Sequence, residues 1–147
     1  MKRSAIAIWK GGPGAGEGSV STSSGVIANA LYSFSSGTGN EPCTNPSEML
    51  AAAVASCMSL MVTRELAAAG LPSESVKTEA ILTLEEHEHH WEVAGIQLNV
   101  STQLPARQAE NFEHICKAAK SKCPISRALK APVTITASVQ APQAAAA

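Results

Sequence analysis

The stretch from Asn45 to Gly70 constrains this chain more than any other. Asn45 can cap a helix, Pro46 fits the first helical position, and Glu48 stands three residues after the cap, the spacing of a capping box. Gly70 and then Pro72 supply the stop. Between them Met49, Leu50, Ala52, Ala53, Val54, Ala55, Cys57, Met58, Leu60, Met61 and Val62 go nearly all the way round the helix. The spacing therefore predicts one Ala-rich helix reaching Ala69, about 36 Å long at helical rise and buried on every side. A chain of 147 residues has little else with which to enclose such a rod. A second subunit is the expected cover, so we expect a dimer with this helix near its centre.

The flanking sequence reads as strands and shorter helices. Ile6 and Ile8, then Val20 to Thr22, then Val26 to Phe34 keep a period of two and predict an antiparallel meander. The glycines from Gly11 to Gly18 are hairpin punctuation, since the run lacks both a Gly-Lys-Ser/Thr ending and G-x-G-x-x-G. After Pro72, Val76, Ala80, Leu82 and Leu84 alternate inward against Lys77, Glu79, Thr83 and Glu85. A turn over 86–90 leads to a partner strand whose apolar phase changes between Val93 and Ile96, which places a bulge near Ala94 and Gly95. Residues 105–122 predict a second helix with Ala109, Phe112, Cys116 and Ala119 on its apolar face. Pro124 then makes Cys123 the cap of a short third helix to about Leu129, and Val133 to Val139 forms the last strand. We expect one domain over 1–140 and a disordered tail over 141–147.

Composition narrows the function. Aromatic residues are 3% of the chain and the net charge is −1, so stacking platforms and phosphate-tracking grooves are both poorly supplied, and we expect no nucleic-acid partner. The apolar segment after Met1-Lys2-Arg3 is too short for an export signal. The uncharged run Met49 to Thr63 falls short of the roughly 20 residues that cross a bilayer, so the expectation is a cytoplasmic protein without a membrane partner. Cysteines in that compartment are usually reduced, which leaves Cys43, Cys57, Cys116 and Cys123 as core fillers, metal ligands or redox groups.

Position separates the four. Cys123 heads a helix, where unpaired N–H groups and the dipole favour a thiolate. Cys116 and Cys123 are seven residues apart, roughly 10 Å on a helix and beyond disulfide reach. The pairing we favour is Cys57 with Cys123, joined when the second helix packs on the long one. Cys116 faces the second helix's apolar side as packing, and Cys43 lies in an exposed loop. His87 and His89 share a strand face, yet the His87–His90 cluster sits at a hairpin tip with no third ligand, so we expect no metal site.

The segment Thr44-Asn45-Pro46-Ser47-Glu48-Met49-Leu50-Ala51-Ala52-Ala53-Val54-Ala55-Ser56-Cys57, with the later Cys123-Pro124-Ile125-Ser126, resembles the OsmC/Ohr family of thiol-dependent organic hydroperoxide reductases. Ala7 to Gly12 with Gly18 to Thr22 is similar to the family's opening hairpin, Tyr32-Ser33-Phe34 to its third strand, and residues 4–140 follow its element order. The resemblance implies an intertwined α+β homodimer of antiparallel sheets around the long helix, with active sites at the subunit interface. It implies that Cys57 is the peroxidatic thiol and that Cys123 resolves its sulfenic acid as an intramolecular disulfide. A dithiol, lipoyl-type in the family, would restore the pair, and no metal or cofactor is needed.

The sequence departs from that pattern at the groups that ionise the first thiol. Ser47 stands where the family has Glu, with Glu48 one residue later, and Gly37 and Pro13 stand at the two places where its members carry Arg. A buried thiol in mid-helix needs a cation to ionise. Arg64, two turns along on the same helix face, is the first candidate; Arg127, or Lys10 or Arg3 from another subunit, are further ones. Glu48 has a structural role as the capping acid, and Arg64 as a solvated charge. The alternative to a peroxidase is a weak or inactive dimer whose apolar cleft binds a small hydrophobic ligand.

Overall fold

The computed structural model describes residues 1–12, 15–33, 43–71 and 73–141. Pro13, Phe34, Gly37 and Pro72, and the tail beyond Ala141, lie outside the described residues. The chain divides into two compact units, Met1–Leu50 and Ala51–Ala147.

The first unit is a three-stranded antiparallel meander, β1 (Ala5–Lys10), β2 (Glu17–Thr22) and β3 (Ala30–Tyr32), in the order β1-β2-β3. The meander is the one expected, but the third strand is shorter than the period of two suggested. Val26 and Ile27 precede it and are exposed, because Thr22 N–H bonds Ile27 C=O and closes a turn there instead of a strand. Gly18 has a packing reason to be glycine. A Cβ on it would come within 2.6 Å of the Tyr32 ring, a distance that requires the ring to move.

Helix α1 (Pro46–Ala68) starts and stops where the sequence says. Asn45 Oδ1 accepts the Glu48 N–H at 2.9 Å, satisfying one of the helix's open donors. At the other end Gly70 takes φ +69°, and Leu71 N–H reaches back to Leu66 C=O at 2.9 Å, a glycine-stopped end of the Schellman kind. A single chain covers one side of the helix, and the expected burial of the others rests on a second subunit. Val54, Met58, Val62 and Leu66 are buried, a single stripe at four-residue spacing, whereas Leu60 is 68% exposed. An alanine-rich helix shows no polar face in sequence, so its apolar pattern cannot tell which sides a single chain covers. With 23 residues α1 is also longer than the uncharged run within it, and by length and composition alone it could cross a membrane.

The second unit carries β4 (Val76–His87), β5 (His90–Gln103) and β6 (Val133–Gln140) in the order β4-β5-β6. β4 and β5 form the expected hairpin. Thr83 pairs with Gly95 and Leu84 with Val93, so Ala94 is the bulged residue, and Leu84, beyond the bulge, is exposed instead of inward. β6 corrects the all-antiparallel expectation. It pairs parallel to β5, Ile96 opposite Val133 through Gln103 opposite Gln140, because the connection runs through helices that return the chain to the starting end of β5. Those helices are a 3₁₀ turn (Ala106–Gln108), α2 (Ala109–Lys122) and α3 (Pro124–Ala128). α2 buries Phe112, Ile115, Cys116 and Ala119; Ile115 takes the inward place expected of Ala109, since the helix proper begins only after the 3₁₀ turn. With Ile96, Leu98, Val100 and Val133 these side chains form the core of the second unit.

Candidate active site

α1 is held within the second unit by polar contacts at Ser59 and Glu65, both on the C-terminal side of Cys57. Ser59 Oγ donates to Thr78 Oγ1 on β4 at 2.9 Å, and Lys122 Nζ at the end of α2 pairs with Glu65 Oε2 at 2.7 Å. The second contact fixes the end of α2 beside α1, and the next residue is Cys123. There Pro124 opens α3 and Cys123 becomes its N-cap, its Sγ accepting the Ser126 N–H at 3.5 Å. Two residues 66 positions apart are thereby brought together: Cys123 Sγ lies 3.0 Å from Cys57 Sγ. Both thiols are free; Cys57 is half-buried and Cys123 fully buried.

The two sulfurs have unlike surroundings. Burial raises the Cys57 thiol above its ordinary value, the bond to Cys123 raises it further, and the Ile125 N–H only partly opposes them. Burial also acts upward on Cys123, but bonds from Cys57, the Ser126 hydroxyl and the Ser126 and Ile125 N–H groups outweigh it, and the thiol is lowered. A proton on Cys123 can point at Cys57. The favoured arrangement of a singly ionised pair is the reverse, with Cys57 S–H donating to a Cys123 thiolate, because the start of α3 offers its N–H groups to Cys123. The buried Ser126 Oγ has no other hydrogen-bond partner among the described residues, which suits it to a thiolate acceptor.

The other candidates fall elsewhere. Glu48 Oε2 accepts from Thr44 Oγ1 at 2.9 Å, a tie across the start of α1 that sequence reasoning missed, although Thr44 stands in the quoted motif. Arg64 is exposed, makes no hydrogen bond or ion pair among the described residues, and is not among the groups that shift Cys57; no cation is. Cys43 is half-buried instead of exposed, its Sγ 3.4 Å from Ser33 Oγ. His87 and His90 stack at 5.3 Å and His87 Nε2 lies 3.5 Å from Glu92, but no group of three metal-ligating side chains converges among the described residues.

Cys116 is a filler of α2's inner face. Burial first, and Glu113 second, push its thiol up to about 12 from 9.0. The folded state thus holds this proton more tightly than the unfolded chain does. The stability this provides is complete below pH 9 and is lost as pH climbs toward 12, at up to about 1.4 kcal/mol per pH unit. Urea unfolding of wild type and Cys116→Val between pH 8 and 11 should show a steeper alkaline decline in the wild type; parallel curves would mean that Cys116 ionises freely.

Residues 37–138 match the family model described as OsmC-like protein, and the chain is 35% identical over 129 residues to peroxiredoxin OsmC of Escherichia coli K12, covering 88% of this chain and 90% of that protein. The chain belongs to the OsmC-like family. The fold agrees. An OsmC-like protein of Vibrio cholerae superposes with a TM-score of 0.75 at 20% identity over 94% of this chain and 99% of that one. The organic hydroperoxide resistance protein OhrB of Bacillus subtilis does so with 0.68 at 21% identity over 93% and 98%. Within this OsmC-like chain the two cysteines of the sequence motifs are the two that meet.

Proposed function

We propose that this protein is a cysteine-based peroxidase that reduces organic hydroperoxides to alcohols through Cys57 and Cys123. The observation that carries the reading is the 3.0 Å approach of these sulfurs, which a disulfide needs to shorten by only about 1 Å. The peroxidase and hydroperoxide-resistance names of the relatives point the same way. In the reaction, the Cys57 thiolate attacks the distal oxygen of R–O–OH, the O–O bond breaks, and the alkoxide leaves with the proton held by Cys123. Cys57 is then a sulfenic acid. The Cys123 thiolate attacks its sulfur, hydroxide departs and takes a proton from solvent to become water, and the Cys57–Cys123 disulfide holds the two electrons' worth of oxidation until an external dithiol, lipoyl-type by family resemblance, reduces it. With no cation beside Cys57 among the described residues, the ionisation is shared: the pair keeps one proton between two sulfurs, and its transfer from Cys57 to Cys123 creates nucleophile and acid together.

The assembly we propose is a cytoplasmic homodimer with α1 near its centre, supported by the exposed apolar side chain of Leu60 on that helix. One observation favours a second reading, in which the dimer is catalytically weak and its cleft binds a small hydrophobic ligand: Cys57 is raised, and no cation among the described residues opposes it. Mass spectrometry separates the two. One equivalent of cumene hydroperoxide added to reduced protein should yield a Cys57–Cys123 linked peptide in near-stoichiometric amount within seconds. Thiols that stay free under those conditions favour the ligand-binding dimer.

A further inference from the structure

A cavity of about 360 Å³ opens between α2 and α3, lined by Lys117, Lys120 and Ser121 of α2 and by Ser126 and Arg127 of α3. That volume suits a small organic molecule. Three of its five described lining residues are cations and none of the five is acidic, in a chain whose net charge is −1. Their states differ. Lys117 Nζ pairs with Glu113 Oε1 at 2.5 Å on α2's outer face, and Lys120 Nζ donates to the Val133 carbonyl. Arg127 has no hydrogen bond or ion pair among the described residues. The charged heads therefore leave one guanidinium free to take a ligand in two parallel bonds, while the aliphatic stems of the long side chains present apolar surface below them.

Ser126 connects this cavity to the redox pair. It lines the cavity and also gives its backbone N–H to Cys123 Sγ. An occupant whose anionic end rests on Arg127, with the Glu113-paired Lys117 beside it, thus meets Ser126, the residue that bonds Cys123. We propose that the cavity is a carboxylate-binding site for a small amphiphilic acid, and that the acid it serves is the carboxylate-bearing form of a reactant, either a hydroperoxide or a dithiol. The site is independent of the peroxidase reading; its service to a reactant rests on it.

Calorimetric titration of the reduced protein with octanoate tests the site without turnover, so an inactive protein would still report on it. Octanoate should bind saturably, and at least about 10-fold more tightly than 1-octanol or inorganic phosphate, which each supply half of the chemistry. Arg127→Gln should weaken it about 10-fold and Lys117→Gln by less, with Arg127→Lys partly restoring it and circular dichroism unchanged. Absent binding, or binding indifferent to both substitutions, overturns the site. In steady-state assays octanoate should then raise the apparent KM for the reactant whose place it takes, the peroxide or the dithiol but not both. Binding that leaves both KM values unmoved overturns the reactant assignment and leaves the peroxidase reading intact.

Discussion

Cys57→Ser is expected to abolish peroxide turnover, lowering kcat/KM for cumene hydroperoxide with dithiothreitol by at least about 10³-fold. The size follows from the element exchanged. An alcohol is far less acidic than a thiol, so no anion forms at this position near neutral pH, and oxygen cannot take the oxygen atom that sulfur takes as a sulfenic acid. The replacement is close in volume at a half-buried position, so a folding defect is not the expected cause of the loss. Cys123→Ser should behave differently. The first oxidation of Cys57 persists, slowed by the missing proton acceptor, and the protein stalls after one turnover as a sulfenic acid that dimedone traps. Turnover that survives Cys57→Ser would move the chemistry to another thiol, and the Ser33-bonded Cys43 would be the next to substitute.

The contrast between the two variants depends on an asymmetry that the sequence shows in part. Cys123 at a helix start is visible from Pro124 alone, because proline at the first helical position makes the preceding residue the cap, and the structure places it there. The same logic marked Asn45 and Pro46, and the change of apolar phase marked the bulge at Ala94. These are local signals, carried by residues next to the feature they specify. What the sequence did not show is non-local. The parallel β5–β6 pairing depends on where α2 and α3 return the chain. The basic cavity depends on α3 turning its Arg127 toward the lysines of α2, and neither helix alone presents more than an ordinary charged face. Ser126 stood inside a recognised motif, but its N–H bond to Cys123 becomes legible only once the cap geometry is known. The source of ionisation is the most instructive case. Sequence reasoning looked for a cation because a lone buried thiol requires one, and Arg64 was the nearest along the helix. The structure offers a second sulfur in its place, a partner that can hold the proton itself.

A single chain buries only one side of α1, and the side it leaves open leads to the second large effect. On a helical wheel Val54, Met58, Val62 and Leu66 occupy one side, while the opposite side carries Ala53, Ser56, Leu60, Thr63, Arg64 and Ala67. Cys57 lies on the flank between them. The open side is mostly small residues with one large apolar side chain at its middle and Arg64 toward one edge, which suits close approach of a second helix along Leu60 with the guanidinium left at the rim. In a two-fold dimer each substitution counts twice. Leu60→Glu forfeits about 2 kcal/mol of apolar burial in each copy, about 4 kcal/mol in all. That is a rise of about 1,000-fold in the dimer dissociation constant before any repulsion between the two new carboxylates. Light scattering at micromolar concentration should find the wild type as a dimer and Leu60→Glu as a monomer. Leu60→Met, which keeps the volume, should leave the dimer in place. A monomeric wild type would place Leu60 in solvent and remove the support for a helix shared between subunits, while the chemistry of the sulfur pair, built wholly within the second unit of one chain, would stand or fall on the Cys57 and Cys123 variants alone.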